Sequence, residues 1–315
     1  MEPRTYSTQY DRLYQEINNK VIAALAQGNI IWRKPWSTNG QFPANLTTLK
    51  RYKGWNLFYL SWVMKENDFQ SPYFLTFKQS QTLGGHIKKG SKGFPIVKWV
   101  KTEAKNPDYS EQADTDSGRV RYYPVTHTVF NVAQTTGIDY PKPSVQDSPH
   151  ANKLLTCEEL LQGMDDIPPI LSGGEEACYI WPLDRIYMPE IGQFQVPEEY
   201  YSTLFHEIIH STGHPTRLNR KELIDSSAYG SLNYSREELT AEFGAAYLCG
   251  ITGIEQKTIE NSAAYIQHWI GQLQSDPALI LKATAKAQAA IDFLPPAEQK
   301  ETSSANIVDQ EISAN

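Results

Sequence analysis

Apolar residues recur at helical spacing in several segments of the chain. Leu13, Ile17, Val21 and Leu25 lie three or four positions apart, which predicts a helix over residues 6–27 that ends at Gly28. The same spacing predicts helices over residues 55–65, 76–83, 152–163, 196–212 and 237–248, and two more helices between residues 257 and 293. Short segments rich in β-branched and aromatic residues predict strands over residues 94–101 and 119–131, and two within 177–189.

Polar, turn-forming segments divide these elements into two domains. Pro, Ser and Asp are frequent in residues 136–151, which predicts a linker. The elements before it predict a small α+β domain over residues 1–135, and those after it a mainly helical domain with a small sheet over residues 152–295. The polar residues 296–315 predict a disordered tail, and the fold class is α+β. Pro124 predicts a bulge or a sheet edge in the second strand.

The charge of the chain is distributed unequally between the two predicted domains. Residues 1–135 contain 18 Lys and Arg against 10 Asp and Glu, a net charge of +8. Residues 136–315 contain 11 Lys and Arg against 26 Asp and Glu, a net charge of −15. A basic domain attracts a polyanion and an acidic domain repels one, so the two domains should have different partners.

The cysteines and the apolar segments bear on the compartment. Cys157, Cys178 and Cys249 are widely spaced and form no CxxC pair, which predicts free thiols in a reducing cytoplasm. The N-terminus is polar, and no segment has the eighteen or so consecutive apolar residues that a membrane helix requires. We therefore expect a cytoplasmic protein without a membrane partner.

Residues 206–210, His-Glu-Ile-Ile-His, form an HExxH motif within a predicted helix. His206 and His210 lie one turn apart on the same helical face, so both imidazoles can bind one Zn²⁺ ion. Glu207 is placed to take a proton from water that the metal activates. The motif predicts a single zinc ion and a metallopeptidase-like centre in which Glu207 is the catalytic residue.

The third ligand is expected from the next predicted helix. The longer HExxHxxGxxH motif needs a histidine where Thr216 stands. Glu238 and Glu242 share a helical face, and we predict Glu238 as the metal ligand and Glu242 as the residue that supports a ligand histidine or replaces Glu238. Two alternatives remain open: Glu238 closes a capping box with Ser235, and Glu237 is a solvated acid in the first turn.

Basic and aromatic residues alternate in the first domain, as single-strand binding requires. The predicted DNA-binding residues are Trp32, Arg33, Lys34, Trp36, Arg51, Lys53, Lys78, Lys88, Lys89 and Lys92. Other aromatic residues in apolar surroundings are expected to pack in the core, namely Trp62, Phe74, Phe77 and Trp99. The chain has no Walker A, RNP or zinc-finger motif, so we expect binding without sequence specificity.

The motifs of both halves resemble one known family. The segments IWRKPWSTNG, RYKGWNLFYLSW and HTVFNVAQTTGI, and then YYSTLFHEIIHSTGH and YSREELTAEFGAAYL, are similar to ArdC-type antirestriction proteins. The resemblance covers about residues 6–293. It implies a single-stranded-DNA-binding domain followed by a zincin-like metallopeptidase domain, which together protect incoming plasmid or phage DNA from restriction.

Two other functions remain as alternatives. The zinc ion is structural in the first, and the protein only binds single-stranded DNA. The protein assists a primase or DNA transfer in the second, although the sequence shows no acidic two-metal cluster of obvious spacing. The identity of a protein substrate is not specified by any motif.

Overall fold

The computed structural model describes residues 10–32, 42–102, 121–142, 150–224, 232–255 and 263–294. The α-helices in these ranges are α1 (Tyr10–Ala26), α2 (Gly54–Glu66), α3 (Phe77–Thr82), α4 (His150–Gln162), α5 (Pro197–Ser211), α6 (Lys221–Ile224), α7 (Leu232–Thr252), α8 (Ala263–Ser275) and α9 (Leu279–Phe293). The strands are β1 (Ala44–Asn45), β2 (Tyr73–Thr76), β3 (His86–Ile87), β4 (Phe94–Thr102), β5 (Arg121–Asn131), β6 (Thr135–Thr136), β7 (Ile170–Ser172), β8 (Cys178–Ile180) and β9 (Arg185–Met188).

The N-terminal sheet has the strand order β1-β2-β5-β4 and is built around a long antiparallel pair. Strands β4 and β5 stay in register from Phe94 opposite Val129 to Thr102 opposite Arg121. Pro124 lies opposite Trp99 in this unbroken register, so the predicted bulge is absent. Because β2 pairs only with Val129–Asn131 of β5, the proline falls where β2 no longer covers that side of the strand, and its missing N–H breaks no bond to β2.

A side chain covers the outer edge of this sheet. The Asn56 side chain of α2 donates to the carbonyl oxygen of Val97 at 2.7 Å and accepts from the Val97 amide at 2.8 Å. The amide group of Asn56 thereby takes the place of a neighbouring strand and satisfies the backbone of β4.

The C-terminal half is mainly helical, with the small sheet β7-β9-β8 beside α5. Helix α7 packs against both α5 and α9. Gly244 of α7 makes the first contact close, because a Cβ at this position would lie 2.6 Å from the Ile209 side chain of α5. The small residue therefore lets the two helices that carry the metal motif approach each other.

One apolar core joins the N-terminal helices to the C-terminal helices. The indole of Trp32 lies 5.4 Å from the ring of Phe243 on α7 and 6.1 Å from that of Trp269 on α8, and Phe58 of α2 lies 4.6 Å from Phe243, all between centroids. Helices α1 and α2 of the N-terminal half contribute to this cluster with α7, α8 and α9. The core thus continues across the predicted linker, and the domain boundary itself stays a prediction.

Most predicted elements are present with ends shifted by a few residues, and the α+β class is confirmed. Helix α7 begins five residues earlier than predicted, and the sequence did not predict the short elements β1, β2, β3, β6, β7 and α6. All three cysteines are free thiols. Among the described helices, none is both long and apolar enough to cross a bilayer. The predicted tail lies outside the described residues.

Candidate functional site

Helix α5 carries the HExxH motif and is held in place by its apolar residues. Leu204, Phe205, Ile208 and Ile209 are fully or almost fully buried, so the helix has one fixed rotational setting. Within it the two imidazoles turn to the same point, and the Nε2 atoms of His206 and His210 lie 3.0 Å apart. The predicted one-turn spacing therefore produces a convergent pair.

Glu238 of α7 completes the group. Its Oε2 lies 3.4 Å from His206 Nε2, and its Oε1 lies 3.5 Å from His210 Nε2. Ligands of a tetrahedral zinc ion, each about 2.0–2.1 Å from the metal, are about 3.3 Å from one another. In the described part of the chain, His206, His210 and Glu238 form the group whose ligand atoms lie close enough for one ion, within 4.8 Å of one another.

The alternative role for Glu238 as a capping residue is wrong. Because α7 begins at Leu232, Ser235 and Glu238 lie inside the helix rather than at its start. The Ser235 hydroxyl instead contacts Nε2 of His268 at 3.1 Å. Glu238 is therefore available to face α5.

Glu237 is a buried support for His210, not a solvated acid. Its Oε1 lies 3.2 Å from His210 Nδ1, and its two oxygens accept from Arg220 at 2.6 and 2.9 Å. Burial alone would raise the pKa of Glu237, but the Arg220 charge and the His210 contact lower it to about 2. The ionised carboxylate fixes the His210 ring so that Nε2 points to the metal position.

Gly213 permits the approach of Arg220 to this pair. Gly213 follows α5 with a φ that is not positive, so it does not end the helix in the left-handed conformation. A Cβ at Gly213 would lie 2.9 Å from the guanidinium of Arg220. Arg220 also donates to the Ile209 carbonyl oxygen at 2.7 Å and to the Thr212 hydroxyl at 2.6 Å. The glycine is thus explained by close packing of the arginine.

Glu242 lies one turn beyond Glu238 and makes different contacts from those predicted. Its carboxylate accepts hydrogen bonds from the Trp32 indole N–H and the Tyr265 hydroxyl. Burial raises the pKa of Glu242 to about 7, so this carboxyl titrates near neutrality. Glu242 does not belong to the three-residue group, and the contact to His210 Nδ1 that orients the ring comes from Glu237.

Glu207 lies between α5 and the small sheet. The Tyr179 amide of β8 donates to its Oε2 at 2.7 Å, and the side chain is largely buried. A backbone N–H therefore fixes the carboxylate beside the first histidine. The Tyr179 hydroxyl in turn donates to Asp184 at 2.8 Å, and Arg217 bridges Asp184 and Tyr179.

The small sheet has its edges at β7 and β8. Strand β9 is the central strand, paired with β7 on one side and β8 on the other, so its backbone has no free edge for a peptide. The edge strand next to Glu207 is β8.

The structure overturns one DNA-binding prediction for the N-terminal half, Trp32, and gives two others, Arg51 and Lys53, partners within the protein. Trp32 is fully buried, so its ring is a core residue and is not available to stack on a base. Arg51 is exposed with its guanidinium 5.1 Å from the centre of the Phe42 ring. Lys53 is exposed and pairs with Asp292 of α9 at 3.0 Å. Arg33, Lys34 and Trp36 lie outside the described residues.

The remaining predicted lysines are exposed. Lys78 lies on α3, and Lys88, Lys89 and Lys92 lie on the turn between β3 and β4. Of the aromatics expected in the core, Phe74 is buried and Trp62 packs against the main cluster, but Phe77 is exposed. The position of the Trp99 side chain is outside the described part.

Two family models match the chain in the order of its two halves. The N-terminal domain of the anti-restriction factor ArdC matches residues 11–130, and a zincin-like metallopeptidase domain matches residues 158–286. The crystal structures of the antirestriction protein ArdC from plasmid R388, metal-free and Mn(II)-bound, are 32% identical to the chain. Each match covers 89% of this chain and 96% of the ArdC chain, and the TM-scores are 0.70 for the metal-free and 0.69 for the Mn(II)-bound structure. The chain belongs to the ArdC antirestriction family.

Two other relatives of this ArdC-family chain have different lengths. The uncharacterized protein y4eC of Sinorhizobium fredii is 30% identical over an alignment of 298 residues, which covers 92% of this chain and 94% of y4eC. The DNA primase TraC of Escherichia coli is 32% identical over an alignment of 303 residues, which covers 91% of this chain but 27% of TraC. The similarity to TraC therefore concerns about a quarter of that protein.

The donor set of this ArdC-family chain fits a divalent metal. Two imidazole nitrogens and one carboxylate oxygen are ligands typical of zinc sites with an open position. The zincin-like match and the convergence of the three ligand atoms both indicate such a metal.

Proposed function

We propose that this protein is an antirestriction protein that binds single-stranded DNA without sequence preference and holds one zinc ion in a zincin-type centre. It would act in the cytoplasm on incoming plasmid or phage DNA. The observation that carries the proposal is the convergence of His206, His210 and Glu238 in a chain of the ArdC family. The six lysines of residues 69–102, a segment without Asp or Glu, support a polyanionic partner.

The metal centre supports hydrolysis of a peptide bond. A divalent ion held by His206, His210 and Glu238 would polarise a carbonyl group and lower the pKa of water. Glu207, fixed by the Tyr179 amide, is positioned to accept a proton from the attacking water and to pass it to the leaving amine. Glu237 holds the ring of His210.

The substitution Glu207→Gln tests this chemistry. It keeps the size of the side chain and removes the base, so we expect unchanged zinc content and unchanged DNA affinity but no cleavage of a protein target. Glu199→Gln on the same helix is the matched control and should behave as wild type. Antirestriction activity is then measured by the transfer of unmodified plasmid DNA into a restricting host.

Two outcomes of this transfer assay separate the main proposal from its alternative. Loss of protection in Glu207→Gln alone would support a peptidase role. Full protection by Glu207→Gln, with metal retained, would leave DNA binding as the function and a structural role for the metal. A primase role receives no support, because no acidic two-metal cluster is found among the described residues and the match spans 27% of TraC.

A further inference from the structure

The N-terminal half presents a surface that carries lysines without acids. Residues 69–102 contain six lysines and no Asp or Glu, and residues 121–138, which supply β5 and β6, also contain no acid. We call the exposed residues Lys78, Lys88, Lys89 and Lys92 the lysine surface. Such a region keeps its positive potential, because no neighbouring carboxylate in the sequence neutralises it.

The backbone brings the two parts of the lysine surface together. Thr76 directly precedes α3, and Phe94 follows the turn between β3 and β4 that carries Lys88, Lys89 and Lys92. Both residues lie opposite Val129 of β5. Their strands are two spacings apart, about 10 Å. The Gly85 amide also donates to the Ser80 carbonyl oxygen at 2.9 Å and ties the end of α3 to β3. Lys78 and the turn between β3 and β4 therefore lie on neighbouring parts of one surface.

A single exposed aromatic ring lies on this surface. The side chain of Phe77 is 55% exposed, and it is the one exposed aromatic residue among those whose side chains the structure describes. The exposed ring offers a flat apolar face beside the lysines, and a stacking partner would remove that face from water. The other described aromatics of this half are buried or partly buried.

The backbone of Phe77 is held firmly. The Thr76 hydroxyl accepts from the Gln79 amide at 3.2 Å, and the Gln79 side chain accepts from the Thr76 amide at 2.8 Å, which forms a capping box. The Ser80 hydroxyl donates to the Phe77 carbonyl oxygen at 2.8 Å. A ring on a fixed backbone has less conformational entropy to lose when a flat partner stacks on it than a ring on a mobile loop.

We propose that Phe77 is a stacking platform for a base of single-stranded DNA and that the lysine surface holds the adjoining phosphates. The proposal rests on the single-strand binding proposed above and names the residues that perform it. Every base has a flat face, so one phenylalanine ring accepts any of them, and exposed bases are available only in a single strand. Charge complementarity to the lysines identifies the partner as a nucleic acid rather than an apolar peptide.

Fluorescence anisotropy with a labelled oligothymidylate tests the proposal on the full chain. We expect Phe77→Ala to weaken binding about 5- to 150-fold, the range for loss of one stacked base, and Phe77→Tyr to bind as wild type. Leu155→Ala is the matched control, because Leu155 is 58% exposed in the acidic half and should have no effect.

The salt dependence separates stacking from charge. Lys88→Ala and Lys89→Ala should each lower the slope of log K against log salt by about 0.7, whereas Phe77→Ala should leave the slope unchanged. Equal affinity of Phe77→Ala and wild type would overturn the stacking role while single-strand binding stands. If Phe77→Leu bound with wild-type affinity, the stacking role would be overturned, because an apolar side chain without a flat ring would then be sufficient. Absence of binding by the wild type would overturn both this inference and the DNA-binding part of the proposed function.

Discussion

The metal centre and the lysine surface use charge in opposite ways. At the metal centre the charged side chains are buried, and each approaches a named partner within 3.5 Å, as Glu237 approaches His210 and Arg220. On the lysine surface the charges are exposed and have no acid nearby in the sequence. Buried ligands held in fixed positions bind one small ion, whereas exposed lysines attract the phosphates of any nucleic-acid strand. Single substitutions should therefore be severe in the first region and graded in the second.

The largest effect should come from the third metal ligand. Glu238→Gln removes the anionic ligand, and we expect the protein to lose stoichiometric metal, with affinity lower by more than about 100-fold. Glu242→Gln, one turn away, should retain one ion per chain because that side chain binds Trp32 and Tyr265 instead. Elemental analysis after dialysis measures both. Equal metal loss in the two variants would show that Glu242 also acts on the ion.

A smaller but still strong effect should follow from Glu237→Gln. The His210 ring loses the carboxylate that orients it, which should weaken metal binding about 10- to 100-fold. Arg220 is left buried without its anion, so the free energy of unfolding should fall by about 3–5 kcal/mol. Chelator competition and urea unfolding of the metal-free protein measure the two losses separately. A stable variant with normal metal affinity would contradict the supporting role.

Metal affinity should fall as the pH falls. Burial alone would lower the pKa values of His206 and His210, but the carboxylates of Glu238 and Glu237 raise them in the metal-free protein. Protons then compete with the ion, because only a neutral imidazole binds it. Below the raised pKa values, affinity should drop about tenfold per pH unit for each proton displaced. Competition with a chromophoric chelator across the neutral range would detect this slope; a flat profile would argue against histidine ligation.

The smallest effect should come from an exposed ion pair. Lys53 and Asp292 are both about half exposed, so water and salt screen their attraction. We expect Lys53→Ala to change the free energy of unfolding by less than about 1 kcal/mol. A loss as large as that of Glu237→Gln would remove the distinction between buried and exposed charges on which the comparison rests.

The metal helix was predictable because its signal is local. His206, Glu207 and His210 lie within five residues, and their helical spacing alone brings the imidazoles together. The choice among the three glutamates required the start and rotation of α7, which depend on packing against Ile209 and Arg220. Local spacing placed Glu238 on the side of the helix that faces the histidines, but it assigned the support of a ligand histidine to Glu242, whereas the contact with His210 comes from Glu237.

The aromatic residues of the N-terminal half show where local reasoning ends. Trp32 borders a basic segment and was expected at a DNA surface, yet its partners Phe243 and Trp269 lie more than two hundred positions away. Phe77 stands in an apolar segment and was expected in the core, yet the end of β2 turns it outward. Strands of two residues, such as β1 and β6, are too short to show an alternating pattern, so the sequence does not predict them.

The shared core also has a consequence for how such genes recombine. A crossover that transferred one half alone would expose the rings around Trp32 and Phe243 to water, and the recipient would inherit an aggregation-prone fragment. Natural exchange should therefore move both halves as one cassette. The alignment with TraC has this form, since it runs through 303 residues and includes the aromatic helices and the HExxH helix together.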